Sequence, residues 1–124
     1  MMDVINLIGR VLIAALFAAG AAQKFTDPEP VQWMLSMAGL PEILVWPLAL
    51  FNLLAAIGLL LGPGIRGWAI VLALYCVATS WFHWQLREDP WQVSIAIKNW
   101  AIAGGLLILA AQGPGRFALH RWRR

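Results

Sequence analysis

Four long apolar stretches, separated by short polar segments, dominate the chain. They cover residues 4–22, 43–61, 67–86 and 93–111. A bilayer core about 30 Å thick is crossed by roughly 20 mostly apolar residues in a helix, so each stretch is long enough to span a membrane. The second and third stretches contain no Asp, Glu, Lys or Arg. The pattern therefore predicts an all-α fold, an integral membrane bundle of four helices.

Proline and glycine mark the ends of these predicted helices. Pro41 and Glu42 suit the first turn of the second helix, because proline loses no helical hydrogen bond there and a carboxylate meets the positive end of the helix dipole. Gly-Pro-Gly runs at 62–64 and 113–115 end the second and fourth helices, since proline cannot continue a helix and glycine accepts left-handed backbone angles. Only residues 23–42 form a long connection.

This long connection, from Gln23 to Glu42, holds a further apolar segment. Its residues Val31–Ala38 are too few to cross a bilayer but apolar enough to lie on its surface as a short helix. We therefore expect an interfacial helix that covers one end of the bundle as a lid.

The distribution of basic residues predicts which side of the membrane each loop faces, because cytoplasmic loops carry an excess of Lys and Arg. The loop after the second helix and the basic tail 113–124 would then be cytoplasmic and anchored to lipid headgroups. The anchoring residues are Arg66, Arg116, Arg121, Arg123 and Arg124. Both termini are expected in the cytoplasm. Residues 1–124 are expected to form one transmembrane domain in a bacterial-type inner membrane.

The composition agrees with a membrane protein and excludes several other classes. Hydrophobic residues make up 61% of the 124 residues and charged residues 12%, against roughly 45–50% and 25% in soluble domains. A chain this apolar is not a disordered one. The net charge is +3, and the basic residues cluster near the C-terminus, so we expect no nucleic-acid partner. The single cysteine, Cys76, excludes an intramolecular disulfide.

Polar side chains at membrane depth are the candidate functional residues. Each costs free energy unless it is paired inside the protein, on the order of 2.5–3.5 kcal/mol for a central charge. All four predicted helices supply such residues near one end of the bundle, which is the outer end in the orientation above. The candidate ligand-binding residues are Lys24, Asn52, His83, Lys98 and Asn99.

The first helix carries two cations on one face, which we expect to point into the bundle or toward a polar seam. At 3.6 residues per turn, the residues on that face are Arg10, Ala14, Phe17, Ala21 and Lys24. Small residues also recur at spacings of four, at Ala14/Ala18 and Ala15/Ala19. Such spacing favours close helix contact, so Ala15 and Ala19 are expected to touch a neighbouring helix.

Each candidate also has a purely structural interpretation. Lys24 can extend to the outer headgroups, and Arg10 can anchor the cytoplasmic side. His83 lies between two aromatic residues, as in an interfacial aromatic belt. Asn52 can hydrogen-bond between helices. Lys98 is the hardest to explain structurally, because it lies well inside the fourth predicted helix.

The chemistry that the predicted spans lack narrows the function. No Asp or Glu lies deep in a predicted helix, which argues against a proton-coupled multidrug exporter. A pair of facing histidines for haem and a His/Cys cluster for a metal are also absent, so we expect no metal site. The sequence shows no catalytic constellation, so any enzymatic role would be that of a subunit within an oxidoreductase.

Short motifs follow one another along the four predicted helices. They are Gly9-Arg10, Gly20, Lys24, Gly39-Leu40-Pro41, the segment 58–66, Phe82-His83, Lys98-Asn99 and Gly104-Gly105-Leu106. In this order and spacing they resemble the DoxX family of membrane proteins, which implies a compact four-helix membrane bundle. Family members are associated with sulfur and thiosulfate oxidation coupled to quinone, with oxidative-stress complexes, and with biosynthetic or dehydrogenase systems. Relatives often have a Glu about where Asn52 stands, so proton transfer by that carboxylate is not carried over.

Three functions remain open at this point. The first, which we favour, is a redox-associated accessory subunit that binds or positions a quinone, with Lys24, His83 and Lys98 donating hydrogen bonds and tryptophans supplying flat apolar surface. The second is a non-catalytic structural or assembly subunit of a larger membrane complex, and the third is a small transporter. The expected partners are membrane lipids and another membrane or periplasmic redox protein.

Overall fold

Helices account for most of the chain in the computed structural model, which describes residues 1–62 and 64–113. The helices are α1 (Met2–Thr26), α2 (Glu29–Met37), α3 (Val45–Leu61), α4 (Ile65–Gln85) and α5 (Pro90–Gln112), with a 3-10 turn at Glu42–Leu44 before α3. Four segments are long and apolar enough to cross a membrane: α1, the turn with α3, α4 and α5. The predicted four-helix membrane bundle is confirmed. The expected anchors Arg116, Arg121, Arg123 and Arg124 lie outside the described residues.

The short helix α2 lies between the first two spans, where the sequence predicts a short interfacial helix. It packs against the 3-10 turn and buries Leu35, while Trp33 and Met37 remain exposed. Its nine residues are too few to cross a bilayer. It therefore covers one end of the bundle, which we call the α2 end.

The helix ends follow from local backbone chemistry. Gly62 ends α3 in the left-handed region at φ 101°, with its N–H donating to Gly58 O. At the start of α5, the Asp89 carboxylate accepts a hydrogen bond of 3.0 Å from the backbone N–H of Trp91. This cap and the following proline begin α5 at residue 90, three residues before the predicted start.

The spanning helices pack most extensively in two pairs, α1 with α3 and α4 with α5. The buried residues of α1 are the predicted face without its last member: Arg10, Ala14, Phe17 and Ala21. The expectation that this face points into the bundle is confirmed. The interior is rich in alanine, for example Ala49, Ala55, Ala69 and Ala103, so the helix backbones approach one another closely.

One alternative interpretation and one expectation about α1 are wrong. The Arg10 side chain is 1% exposed, so it is buried in the bundle and does not anchor the chain at the headgroups. Ala15 and Ala19 are both exposed in the single chain, so they do not lie in its packed interior as expected. The reason is the same in both cases: α1 buries one face only, and the rotation that brings Arg10 and Ala14 inward turns Ala15 and Ala19 outward.

At the end of the bundle opposite α2, side chains join three helices. Arg66 Nη1 donates to Ala111 O at 3.2 Å, and Asn6 Nδ2 donates to Gly113 O at 3.0 Å. Both acceptors belong to the last turn or C-cap of α5, where backbone carbonyls lack helical partners. Arg66, expected as a membrane anchor, is exposed. Its hydrogen bond to Ala111 O also caps the C-terminus of α5.

Candidate functional site

A cavity of about 180 Å³ lies at the α2 end of the bundle. Its lining comes from four helices, α1 to α4, and combines polar with apolar side chains. The lining residues are Lys24, Val31, Met34, Leu35, Leu48, Tyr75, Thr79, Phe82 and His83. We call this cavity the head pocket.

Helical periodicity places these side chains around the head pocket. On α2, Val31, Met34 and Leu35 share one face, which turns toward the bundle. On α4, the polar residues Tyr75, Thr79 and His83 follow one another at spacings of four, one above the other. The pocket therefore has an apolar wall from α2 and a polar wall from α4.

A second cavity, of about 250 Å³, adjoins the head pocket under α2. The two cavities share two lining residues, Met34 and Phe82. The remaining lining residues are Met37, Ala38, Trp81, Gln85 and Leu86. Trp81 is 53% exposed, so this second cavity, which we call the side cavity, reaches the surface between α2 and α4.

Behind Lys24, the bundle contains a buried polar group. Asn52 on α3 is 2% exposed, and its Oδ1 has no hydrogen-bond partner. A Cβ placed on Gly20 would lie 3.7 Å from Asn52 Oδ1 and 3.7 Å from Lys24 Nζ. The missing side chain at position 20 therefore leaves a notch bordered by an amide oxygen and an ammonium group.

Tyr75 connects this notch with the aromatic interior. Its hydroxyl oxygen accepts a hydrogen bond from the Asn52 side-chain amide N–H, so Asn52 Oδ1 takes no part in this contact. Its ring lies between Phe17 and Phe51, at centroid distances of 6.3 and 5.1 Å. These contacts hold the Tyr75 ring in place at the base of the head pocket.

The polar wall of α4 is fixed from the other side by α5. His83 Nδ1 lies 2.6 Å from Gln92 Oε1, and Asn99 Nδ2 donates to Thr79 Oγ1 at 3.2 Å. A further contact joins the same two helices: Trp100 Nε1 on α5 donates to Ser80 Oγ on α4 at 3.0 Å. Because Nδ1 of His83 is engaged with Gln92, Nε2 is the ring nitrogen left for a ligand.

The five sequence candidates occupy different places. Lys24 and His83 line the head pocket. Asn52 borders the notch behind Lys24, and Asn99 reaches the pocket through Thr79. Lys98 is exposed on α5 and lies outside the lining of both cavities, which differs from the expectation that it shares a cavity with His83.

Sequence reasoning missed two polar pocket residues, Tyr75 and Thr79. Both lie on the α4 face that also carries His83, one and two turns before it, so the spacing that located the α1 face would have located them. It also missed Gln92, whose contact with His83 depends on how α4 and α5 turn back on each other.

The head pocket offers hydrogen-bond donors opposite apolar carbon. Lys24 Nζ is a donor only, and His83, whose Nδ1 donates to Gln92 Oε1, has Nε2 left to interact with a ligand. Among residues 1–62 and 64–113, no three His, Cys, Asp or Glu side chains lie close enough to hold a metal ion. The arrangement suits a small ring with hydrogen-bonding oxygens, and the side cavity offers space for an apolar substituent.

Four apolar spans and a partly polar pocket covered by the short helix α2 define a multi-pass integral membrane protein. The DoxX family profile matches residues 5–84, and the chain belongs to the DoxX family. The matched range contains every lining residue of the head pocket, whereas α5 lies beyond it.

Two relatives from Escherichia coli strain K12 match the chain over most of its length. Inner membrane protein YqjF is 28% identical over 120 residues, which cover 96% of this chain and 92% of that protein. Inner membrane protein YphA is 29% identical over 126 residues, which cover 95% of this chain and 89% of that protein. No solved structure matches significantly. With four spans and these relatives, the chain is a multi-pass inner membrane protein.

Proposed function

We propose that this protein binds the head group of a lipid-soluble quinone in the head pocket and acts as an accessory subunit of a redox-associated membrane system. One observation carries the proposal: Lys24 and His83 line the same cavity as the apolar residues Met34, Leu35 and Leu48. A quinone head group has carbonyl oxygens that accept hydrogen bonds and a flat apolar ring, so it matches both walls.

The sizes of the two cavities favour a small ring with a tail. Pockets for drug-sized ligands are typically about 300–1,000 Å³, and the head pocket alone, at about 180 Å³, is smaller. The adjoining side cavity adds about 250 Å³ and is lined mainly by apolar side chains. In the proposed complex, the ring occupies the head pocket and its tail passes between Met34 and Phe82 to the surface near Trp81.

In this proposal the residues of the chain bind and orient the ligand. A bound quinone supplies two-electron chemistry, and a partner redox protein of the membrane or periplasm exchanges electrons with it. The Lys24 ammonium donates to one ring oxygen, His83 Nε2 faces the ring from α4, and α2 excludes water. The Gln92 contact keeps the His83 ring in one orientation.

One observation favours a second candidate function, a structural subunit of a larger complex. Lys98 is exposed on α5 within a membrane-spanning segment. A cation in that position gains from a partner or a lipid headgroup that offers an acceptor. This role does not require the head pocket, so variants of the pocket separate it from the first candidate.

The test compares two lysines of the spanning helices. The purified protein in detergent is titrated with decyl-1,4-benzoquinone, and quenching of tryptophan fluorescence reports binding near Trp81. We expect Lys24→Met to weaken binding at least tenfold, because the donor at the head pocket is lost. The matched control, Lys98→Met, removes the same charge outside both cavities and is expected to leave the affinity unchanged.

Thermal unfolding of each variant is measured in parallel, to establish that the bundle remains folded. Equal affinities of wild type and Lys24→Met would overturn the proposed site. Equal losses in Lys24→Met and Lys98→Met would show that the affinity does not depend on the head pocket, and would also overturn the proposed site.

A further inference from the structure

The notch at Gly20 contains a hydrogen-bond acceptor that the protein leaves unused. Asn52 Oδ1 is buried and has no hydrogen-bond partner. A buried acceptor without a donor is costly, because it has lost its hydrogen bonds to water and has no hydrogen bond within the protein to replace them. The group that completes this site must therefore offer a donor.

The same notch also contains a donor. Lys24 Nζ and Asn52 Oδ1 each lie 3.7 Å from the position of a Cβ on Gly20, so the two atoms are at most twice that distance apart. The two atoms do not hydrogen-bond to each other, since Oδ1 has no partner. A single small group seated between them would have to accept from the ammonium and donate to the amide oxygen.

A hydroxyl group meets both requirements, whereas a carbonyl oxygen meets one. The hydroxyl oxygen accepts from Lys24 Nζ, and its hydrogen is donated to Asn52 Oδ1. A carbonyl oxygen accepts from Lys24 but leaves Asn52 Oδ1 facing a second acceptor. In the proposed complex, one substituent of the ring passes Lys24, which lines the head pocket and also borders the notch.

From this geometry we infer that the notch formed by Gly20, Lys24 and Asn52 is a hydroxyl subsite, and that the pocket selects a hydroquinone or related phenol over the corresponding quinone. The inference rests on the proposed function, because it assigns the ligand class of the same pocket. It adds a preference for one redox form, which the walls of the head pocket alone do not require.

The experiment measures both redox forms of one compound. Tetramethyl-1,4-benzoquinone and its hydroquinone are equilibrated with the purified full-length protein by anaerobic dialysis in detergent. We expect the hydroquinone to bind about tenfold more tightly, which corresponds to about 1.4 kcal/mol. Lys24 is common to both complexes, and the two variants below test whether the ratio of the two dissociation constants depends on the unused acceptor.

Two variants assign the preference to the notch. Asn52→Leu removes the acceptor, and we expect the ratio to fall to about one. Gly20→Ala fills the notch with a methyl group at ordinary van der Waals distances, so it keeps the fold and is expected to abolish the preference as well. Because the packing around position 20 has room for the added methyl group, the test does not depend on whether Asn52→Leu folds.

Matched controls exist for both variants. Asn6 has a buried Oδ1 without a partner at the opposite end of the bundle, and Asn6→Leu should leave the ratio unchanged. Gly105 has open space where its Cβ would lie, and Gly105→Ala should likewise have no effect.

The outcomes separate the two proposals. If neither redox form binds, the proposed function fails, and the hydroxyl subsite fails with it. If both forms bind with equal affinity, quinone binding stands and the hydroxyl subsite is wrong. A preference that survives in both Asn52→Leu and Gly20→Ala would also overturn the assignment of the subsite to this notch.

Discussion

The indole ring of Trp68 occupies the space in which Gly58 would carry a side chain. A Cβ on Gly58 would lie 2.6 Å from Trp68 Cε2 and 2.7 Å from Cδ1, distances that atoms in contact do not reach. Gly58 belongs to α3 and Trp68 to α4, so this contact lies where the two helix pairs meet. Trp68 also packs against Phe51 at a centroid distance of 6.2 Å.

Gly58→Ala is therefore expected to destabilise the bundle. The added methyl group must displace the Trp68 ring, and overpacking of this kind costs about 1–3 kcal/mol. Thermal unfolding in detergent, followed by circular dichroism, measures the effect. Gly104→Ala is the control, because its Cβ would meet open space. A midpoint in Gly58→Ala as high as in Gly104→Ala would show that α3 and α4 do not meet as described.

The contrast between buried and exposed alanines on α1 provides a second prediction. Ala14 is 2% exposed, whereas Ala19 is exposed. Ala14→Leu should lower the free energy of unfolding by about 1–3 kcal/mol, because the larger side chain has no room. Ala19→Leu should leave it within about 0.5 kcal/mol. The reverse order in an unfolding assay would mean that α1 is rotated differently.

A third prediction concerns the hydrogen bond between Asn99 and Thr79. Asn99→Leu and Thr79→Val each remove this bond, and each should cost about 0.6 kcal/mol, a typical value between membrane helices. Because both changes remove one shared bond, the double variant should lose less than the sum of the two. Unfolding free energies of all four proteins complete the double-mutant cycle. Strict additivity would contradict the contact.

The orientation of the bundle is a fourth prediction. With both termini in the cytoplasm, cysteines placed at Glu29 and Glu88 should react with a membrane-impermeant reagent added outside, and a cysteine at Arg121 should not. The background protein carries Cys76→Ala, which removes the single native cysteine, a buried one. Labelling at Arg121 alone would reverse the orientation.

Local sequence patterns determined much of this fold. The lengths of the apolar stretches predicted four spans, and the length of Val31–Ala38 predicted an interfacial helix where α2 lies. Glycine and proline predicted the ends of α3 and α5 closely. The spacing of Arg10, Ala14 and Ala21 predicted the inner face of α1. Each of these features depends on neighbours within a few turns, which the sequence contains directly.

The tertiary structure alone decided which polar residues meet. In a membrane, the lipid-facing and core-facing sides of a helix are both apolar, so hydrophobic periodicity only weakly indicates which side is buried. Lys98 is an example: the sequence favours a functional role, yet α5 turns it outward while Asn99, the next residue, reaches Thr79. The notch between Lys24 and Asn52 likewise depends on the close packing of α1 against α3, which no local pattern encodes.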